Sequence, residues 1–375
     1  MMLRHCVAAA LAAVVMGAAC AAEPAAPYHV GETSRVFHPQ VERHWRGART
    51  EALVTNVWYP VDASVPETPR NIGEPGRPTF RGHPSAGEAA LAPAHSTYPL
   101  LMLSHGTGGT ADSLDWLAAA LAANGYIVAG VNHPGNNALE PLTRDGFMLW
   151  WERATDVSEA LDSILADPVL GAHVDRTRIG AVGFSLGGYT VLELAGARTN
   201  VAAFEAFCGG PQGDAICRPP EMDRLQPSPG PNAPKTAATE ASLARSGASY
   251  RDVRIQAVFA IAPALGMALD TDSLRSIALP VSLMAGDADV TVPVESNVRR
   301  IAGLVPNADV LLVPGASHYT FIDTCHPGQY RTCHCCARTR QASIVTPSTP
   351  RLCAVRWSSS GRRCRPKPEH RPPAA

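Results

Sequence analysis

The stretch RIGAVGFSLGGYTVLELAGA, residues 178–197, admits few backbone paths. It opens on a continuous apolar run, as in a strand covered on both faces of a parallel sheet. It closes with helical apolar spacing that stops near Gly196. Between them, GFSLG (183–187) must turn so tightly that side chains flanking Ser185 would clash, so Gly183 and Gly187 stand on either side and Gly188 eases close packing. Ser185 Oγ is then held above the sheet, at the start of a helix whose dipole favours developing negative charge. A G-x-S-x-G string alone is common by chance; the strand before it and the helix after it give this one weight.

The same alternation recurs along the chain. YPLLMLS (98–104) is a second continuous apolar run ending in the Gly-rich turn HGTGG, and ADSLDWLAAALAANG (111–125) follows with helical spacing. YIVAGVNHPG (126–135) reads as a buried strand and GFMLWWERATDVSEALDSILAD (146–167) as one long amphipathic helix. IQAVFAIAP (255–263), PVSLMAGDAD (280–289) and ADVLLVPGASH (308–318) supply three more strands, with a helix over 294–304. EALVTNVWYP (51–60) reads as a strand closed by Pro60, and residues 62–97 as a Pro/Gly-rich excursion. This pattern predicts the α/β class: one doubly wound, mostly parallel sheet with helices on both faces. Residues 198–253 are too long for an ordinary connection, and we expect them to form a cap or lid over the C-terminal edge of the sheet.

A serine hydroxyl is a weak nucleophile and needs a base, which in turn needs an orienting acid. Both appear downstream in the order Ser, Asp, His. MAGDADVTVP ends a strand with two acids; Asp289, four residues before Pro293, is favoured over Asp287. VPGASHYTF places His318 in the loop after the last strand, as the expected base. An anionic intermediate needs donors aimed at it. The backbone N–H groups of Thr107, in LSHGTGG, and of Leu186, the residue after the nucleophile, are the candidates, with His105 bracing the loop. This chemistry needs no cofactor and no metal.

The net charge near −1 hides an asymmetry. Residues 325–375 hold nine Arg, Lys367 and the single acid Glu369, leaving 22 basic and 32 acidic side chains before them. An acidic body argues against nucleic acid as a partner, since phosphate binding needs clustered cations. Residues 1–22, with Arg4 and His5 before an apolar run and small residues around Ala21 and Ala22, read as a secretory signal peptide too short for a lasting membrane span. Lipid attachment at Cys20 is the alternative. Either way the chain meets an oxidising compartment, in which Cys208 and Cys217, nine residues apart in CGGPQGDAIC, are expected to form a disulfide.

From Arg49 to about Thr324 the sequence resembles the α/β-hydrolase superfamily. Within it, the chain is similar to bacterial predicted dienelactone hydrolases, which are related to platelet-activating-factor acetylhydrolases. The resemblance rests on VWYP, LSHGTGG, VNHPGN, GFSLGG, GDAD and GASHYTF. True dienelactone hydrolases carry a cysteine where this chain has Ser185. The resemblance implies serine esterase chemistry: Ser185 attacks, His318 acts as base then acid, Asp289 orients His318, and Thr107 and Leu186 bind the oxyanion. Export suggests an ester met outside the cytoplasm, of short-chain, lipid or polyester type. Phe147, Trp150 and Trp151 are candidates to line an acyl pocket, and His133 and Asn136, which follow a strand, to edge the cleft.

From Cys325 onward the chain loses hydrophobic periodicity and becomes rich in Arg, Pro, Ser and Cys, the composition that an out-of-frame reading of a GC-rich gene yields. Residues 325–375 therefore read as an atypical tail outside the hydrolase-like domain at 23–324. Two rival readings follow. The cluster around Cys325, His326, Cys333, His334, Cys335 and Cys336 suggests a metal-binding protein, although it lacks regular C-x-x-C pairs. A non-catalytic hydrolase-like binding protein is the other.

Overall fold

In the computed structural model, residues 27–40, 43–225, 235–306 and 308–327 are described. The expected signal segment at 1–22 with Cys20, and the Cys/His cluster beyond Pro327, lie outside the described residues. The strands are β1 (His29–Phe37), β2 (Leu53–Val61), β3 (Asn71–Glu74), β4 (Arg77–Arg81), β5 (Tyr98–Ser104), β6 (Ile127–Asn132), β7 (Val174–Phe184), β8 (Val258–Ile261), β9 (Val281–Gly286) and β10 (Asp309–Val313). Eight of them form one sheet in the order β1-β2-β6-β5-β7-β8-β9-β10, and β3 and β4 form a separate hairpin. β1 and β2 pair antiparallel with their neighbours, and the six strands from β6 to β10 are parallel. The fold is of the α/β class and of the hydrolase type.

The continuous apolar runs behave as their composition requires. Every residue of β6 is buried, which a strand covered on one face alone does not permit. Leu53, Val57, Leu100, Met102, Ile127, Ala129 and Val131 are fully buried where the central strands meet. The chain passes from β5 to β6 on one side and then returns to β7 on the other. A crevice opens at such a switch point, outside the carboxyl ends of the strands. Ser104 and Gly183 lie side by side at those ends, and Gly183 continues the row to Ala260 on β8.

Two local expectations need correction, and one strand was not read from the sequence at all. β1, HVGETSRVF, is a polar edge strand with one solvated face, so it lacks an apolar run. A Cβ on its Gly31 would lie 2.2 Å from the ring of Tyr59, which crosses it. Residues 62–97 contain the β3–β4 hairpin. The helix read over 146–167 is two helices, Arg144–Met148 and Glu152–Ala166. The break at Leu149 (φ −93°, ψ 64°) separates the two helices, and Leu149, Trp150 and Trp151 beside it are all buried.

After β10 the chain makes a 3-10 turn at His318–Phe321 and is then sewn to its surroundings. Trp116 Nε1 donates to Phe321 O (2.9 Å), Trp116 N to Asp323 Oδ1 (3.1 Å), and Asp323 N to Ser113 O (3.0 Å). Arg81 N donates to Thr324 O and His326 N to Thr79 O, adding the segment to β4, with Cys325 buried against Ile72 and Phe80. Cys325 is disulfide-bonded. Order therefore continues past Thr324, where the sequence reading put the domain end.

Burial, reinforced by nearby Asp115, pushes the Asp323 carboxyl up to about 9, and burial lifts neighbouring Glu32 to about 7 against the pull of Arg70. A carboxyl whose folded pKa exceeds its unfolded value takes up a proton on folding. Its contribution is present in full below about pH 4 and is lost as the pH rises through the folded value. Stability should therefore fall between pH 7 and 9, by at most about 1.4 kcal/mol per pH unit from this group. Asp323→Asn should flatten that decline; urea midpoints at pH 5, 7 and 9 measure it, and an unchanged slope in the variant would count against the assignment.

Candidate active site

Ser185 stands at the tip of the turn between β7 and the helix Leu186–Ala195, at φ 56° and ψ −118°. Few non-glycine residues adopt such a backbone, and it is strained. Its main chain is clamped from both sides: Ser185 N donates to Ile261 O (2.8 Å), and Ser185 O accepts from Ala264 N (3.0 Å) and Tyr189 N (3.2 Å). The glycines around it are a steric requirement. A Cβ on Gly187 would lie 1.9 Å from Ser104 O, and one on Gly183 would lie 2.1 Å from Gly187 O. A Cβ on Gly188 would lie 2.8 Å from Pro263 Cα.

Three loops at the same sheet edge converge on this serine. His318 Nε2 lies 2.9 Å from Ser185 Oγ, placed to accept its proton, and His318 Nδ1 donates to Asp289 Oδ2 at 2.8 Å. Asp289 Oδ1 accepts from Thr291 N (2.9 Å) and Val292 N (2.8 Å), which aims the other oxygen at the ring. Asp287 instead accepts from Gly315 N (2.7 Å) and does not bond to His318. The Phe184 ring lies against His318 at 4.8 Å. Asp289 and His318 are buried, and Ser185 is only 8% exposed.

The loop after β5 closes over the serine. A Cβ on Gly106 would lie 3.1 Å from Ser185 Cβ, so the backbone passes directly beside it. Neither the Thr107 nor the Leu186 amide donates to any group among the described residues. The loop is braced from behind: Asn136 Oδ1 accepts from Gly108 N (2.8 Å), and Asn136 Nδ2 donates to Gly146 O (2.8 Å). His105 Nδ1 donates to Gly106 O (2.7 Å), and its Nε2 accepts from His133 N (3.3 Å).

The five residues expected to contact substrate are all buried. His133 and Asn136 are fully buried with their polar atoms engaged by protein groups, so they support the loop and do not edge a cleft. Trp151 is in the core with Nε1 donating to Ser242 Oγ (3.0 Å), and Trp150 packs edge-on against Trp151, Tyr189 and Phe204. Phe147 is also buried. Sequence reading missed the ions behind the loop. Asp156 pairs with Arg43 and with Arg46 (2.7 Å), and accepts from His133 Nδ1 (2.7 Å). Burial opposes ionisation of Asp156, but Arg46 and Arg43 hold its carboxyl far below the usual range. Burial, then nearby Arg153, lowers His133 to about 3, and the same two causes hold His105 well below an ordinary histidine. Both rings are neutral near pH 7, so His133 Nε2 accepts from Ser104 Oγ (2.9 Å).

Residues 100–330 match the family described as "Alpha/beta hydrolase family". The chain belongs to the alpha/beta hydrolase family. Lipase 1 of Moraxella sp. (strain TA144) is 33% identical over 94 residues, 24% of this chain and 26% of that protein. Cutinase est2 of Thermobifida alba is 29% identical over 111 residues, 29% of this chain and 34% of that one. The chain thus spans about a quarter to a third of the curated relatives it matches. A solved ferulic acid esterase from Streptomyces cinnamoneus superimposes with a TM-score of 0.52 at 20% identity, covering 84% of this chain and 80% of that chain, a likeness of fold. The narrower likeness to dienelactone hydrolases rests on the sequence motifs alone.

As the spacing predicted, Cys208 and Cys217 form a disulfide with Cα atoms 5.5 Å apart. Among the described residues, one set of possible metal ligands comes together: His83, Asp115 and Asp323, within 4.8 Å of one another. Asp115 already accepts from Trp58 Nε1 (2.7 Å), Arg70 (2.9 Å) and His83 N (2.6 Å), so protein donors meet its charge.

Gly187→Ala should destabilise the protein, because the new methyl would meet a backbone carbonyl that cannot yield. The expected cost is about 3 kcal/mol, at the upper end for overpacking. A melting temperature equal to wild type would show that the elbow has more room than the geometry allows.

Proposed function

We propose that this chain is an exported serine hydrolase that cleaves carboxylic esters through Ser185, His318 and Asp289. One observation carries the reading: the unbroken hydrogen-bond chain Ser185 Oγ, His318, Asp289, at 2.9 and 2.8 Å, assembled from three separate loops. His318 Nε2 takes the Ser185 proton as Oγ bonds to the ester carbonyl carbon, and Asp289 stabilises the imidazolium that forms. The carbonyl electrons move onto oxygen, and that oxyanion lies between the N–H groups of Thr107 and Leu186. Collapse expels the alcohol, which takes the proton from His318. Water then repeats the sequence on the acyl-enzyme and releases the acid.

Short-chain, lipid or polyester-type esters are the proposed substrates, in keeping with relatives named lipase and cutinase. Residues 198–253 act as a cap in this reading. Tyr319, next to His318, donates to Glu221 Oε1 (2.9 Å), and Arg224 reaches Gly108 O (3.4 Å), so the segment borders both sides of the approach. Export is supported by the basic-then-apolar N-terminal sequence and by the disulfide, which suits an oxidising compartment. Among the described residues no helix is long and apolar enough to cross a membrane.

Hydrolysis of p-nitrophenyl esters of two to eight carbons tests the reading. Ser185→Ala should lower kcat by about 10⁴-fold or more, and Asp289→Asn by about 10⁴-fold with KM little changed. Hydrolysis that survives Ser185→Ala would sink the assignment.

A further inference from the structure

We propose that Arg153 is a positioning residue for the oxyanion site, tying together the two segments that carry the Thr107 and Leu186 amides. This inference rests on the serine-esterase reading. Arg153 lies on the helix Glu152–Ala166 and is 1% exposed. Its NH2 donates to His105 O and to Ser104 Oγ (3.3 Å), at the start of the loop that holds Thr107. Its Nε donates to Thr190 Oγ1 (3.3 Å), and that hydroxyl donates to Leu186 O (2.9 Å). One rigid planar fork therefore spans the two segments and fixes their separation. A lysine ammonium, a single point on a flexible stem, cannot reach both in one geometry.

The peptides beside these anchors are prepared for donation. The Thr107 N–H belongs to the peptide whose carbonyl, Gly106 O, accepts from His105 Nδ1 (2.7 Å) and Gly109 N (3.2 Å). The Leu186 N–H belongs to the peptide whose carbonyl, Ser185 O, accepts from Ala264 N and Tyr189 N. A carbonyl that accepts hydrogen bonds polarises its own peptide and strengthens the N–H on the far side. That gain is useful only if both N–H groups point at one oxygen, and the spacing set by Arg153 is what aligns them. Neutral side chains could hold either segment alone. A buried guanidinium with NH1 left without a partner among the described residues is a costly solution, as expected where two acceptors must be held at a set distance.

Steady-state kinetics on p-nitrophenyl butyrate with wild type, Arg153→Met, Arg153→Lys, Thr190→Val and Ser185→Ala test this. Arg153→Met should lower kcat about 10- to 100-fold with KM within about twofold, since small misplacements cost rate more than binding. Inhibition by a trifluoromethyl ketone, whose adduct carries the oxyanion, should weaken in proportion to the loss in kcat/KM. Arg153→Lys should recover part of the rate, and Thr190→Val, which cuts one arm at constant volume, should lose about threefold to tenfold. A folded Arg153→Met enzyme with kcat within twofold of wild type, or a rise in KM at unchanged kcat, overturns the proposal. If Arg153→Met does not fold, unchanged kcat in Thr190→Val overturns it. Ser185→Ala separates the two readings: if it is inactive while Arg153→Met is unaffected, only this inference fails, whereas an active Ser185→Ala removes both.

Discussion

The near-contact between the Ser185 elbow and the end of β5 is the constraint on which the site depends. With Gly187 at the point where a Cβ would lie 1.9 Å from Ser104 O, the elbow has no freedom to relax toward β5. It therefore keeps Ser185 at φ 56°, a conformation that costs on the order of 1–3 kcal/mol. The clamp from Ile261 O, Ala264 N and Tyr189 N offsets that cost with backbone hydrogen bonds from the neighbouring strand and helix. The same proximity brings the loop after β5 against the serine, so the position of Thr107 follows from the elbow. Strain at one residue thereby sets the relative placement of serine, loop and helix N-terminus.

Behind this constrained front lies an ionic layer whose role is electrostatic as much as mechanical. Asp156 is fully buried and ionised because Arg43, Arg46 and the His133 N–H surround it. Deleting one partner of such a set leaves an uncompensated buried charge, typically a loss of about 3–5 kcal/mol. Burial, and after it the charge of Arg153, disfavours a positive charge on His133 or His105, and both rings stay neutral. Each then has one donor and one acceptor nitrogen with a fixed assignment, so the hydrogen bonds beneath the loop keep their direction through neutral pH.

The sequence was most informative where steric necessity restricts residue type. The elbow needs glycine at set positions, and the parallel strands need apolar residues on both faces, so β5 to β10 and the Ser185, Asp289 and His318 loops were all readable from order and pattern. It misled where a residue type has two uses. Trp150 and Trp151 suit a pocket or a core, and His133 and Asn136 suit a cleft or a brace; the deciding fact is burial, which adjacent sequence does not encode. The pairs Arg46–Asp156 and Arg153–His105 join distant parts of the chain, and no local spacing marks them. β1 and the β3–β4 hairpin were missed because a solvated or short strand leaves little apolar periodicity to detect.

The hairpin matters for the histidine. His318 is fixed on one side by Asp289, but its loop must also be held from the C-terminal side, or the ring could swing from Ser185. That hold comes from Trp116 and Ser113, which bind Phe321 and Asp323, and from β4, which pairs with the segment around Cys325. Ile72 and Phe80 bury their faces against Cys325, so hairpin and segment each complete the other's small core. A segment of two paired residues is too short to show a period, which is why the apparent end of the domain at Thr324 fell inside an ordered contact. The same anchoring draws the Asp323 carboxyl into a region already carrying Asp112, Asp115 and Glu32 against one guanidinium, Arg70. Holding His318 in place thus brings excess buried carboxylate with it, and the proton kept on Asp323 relieves that excess.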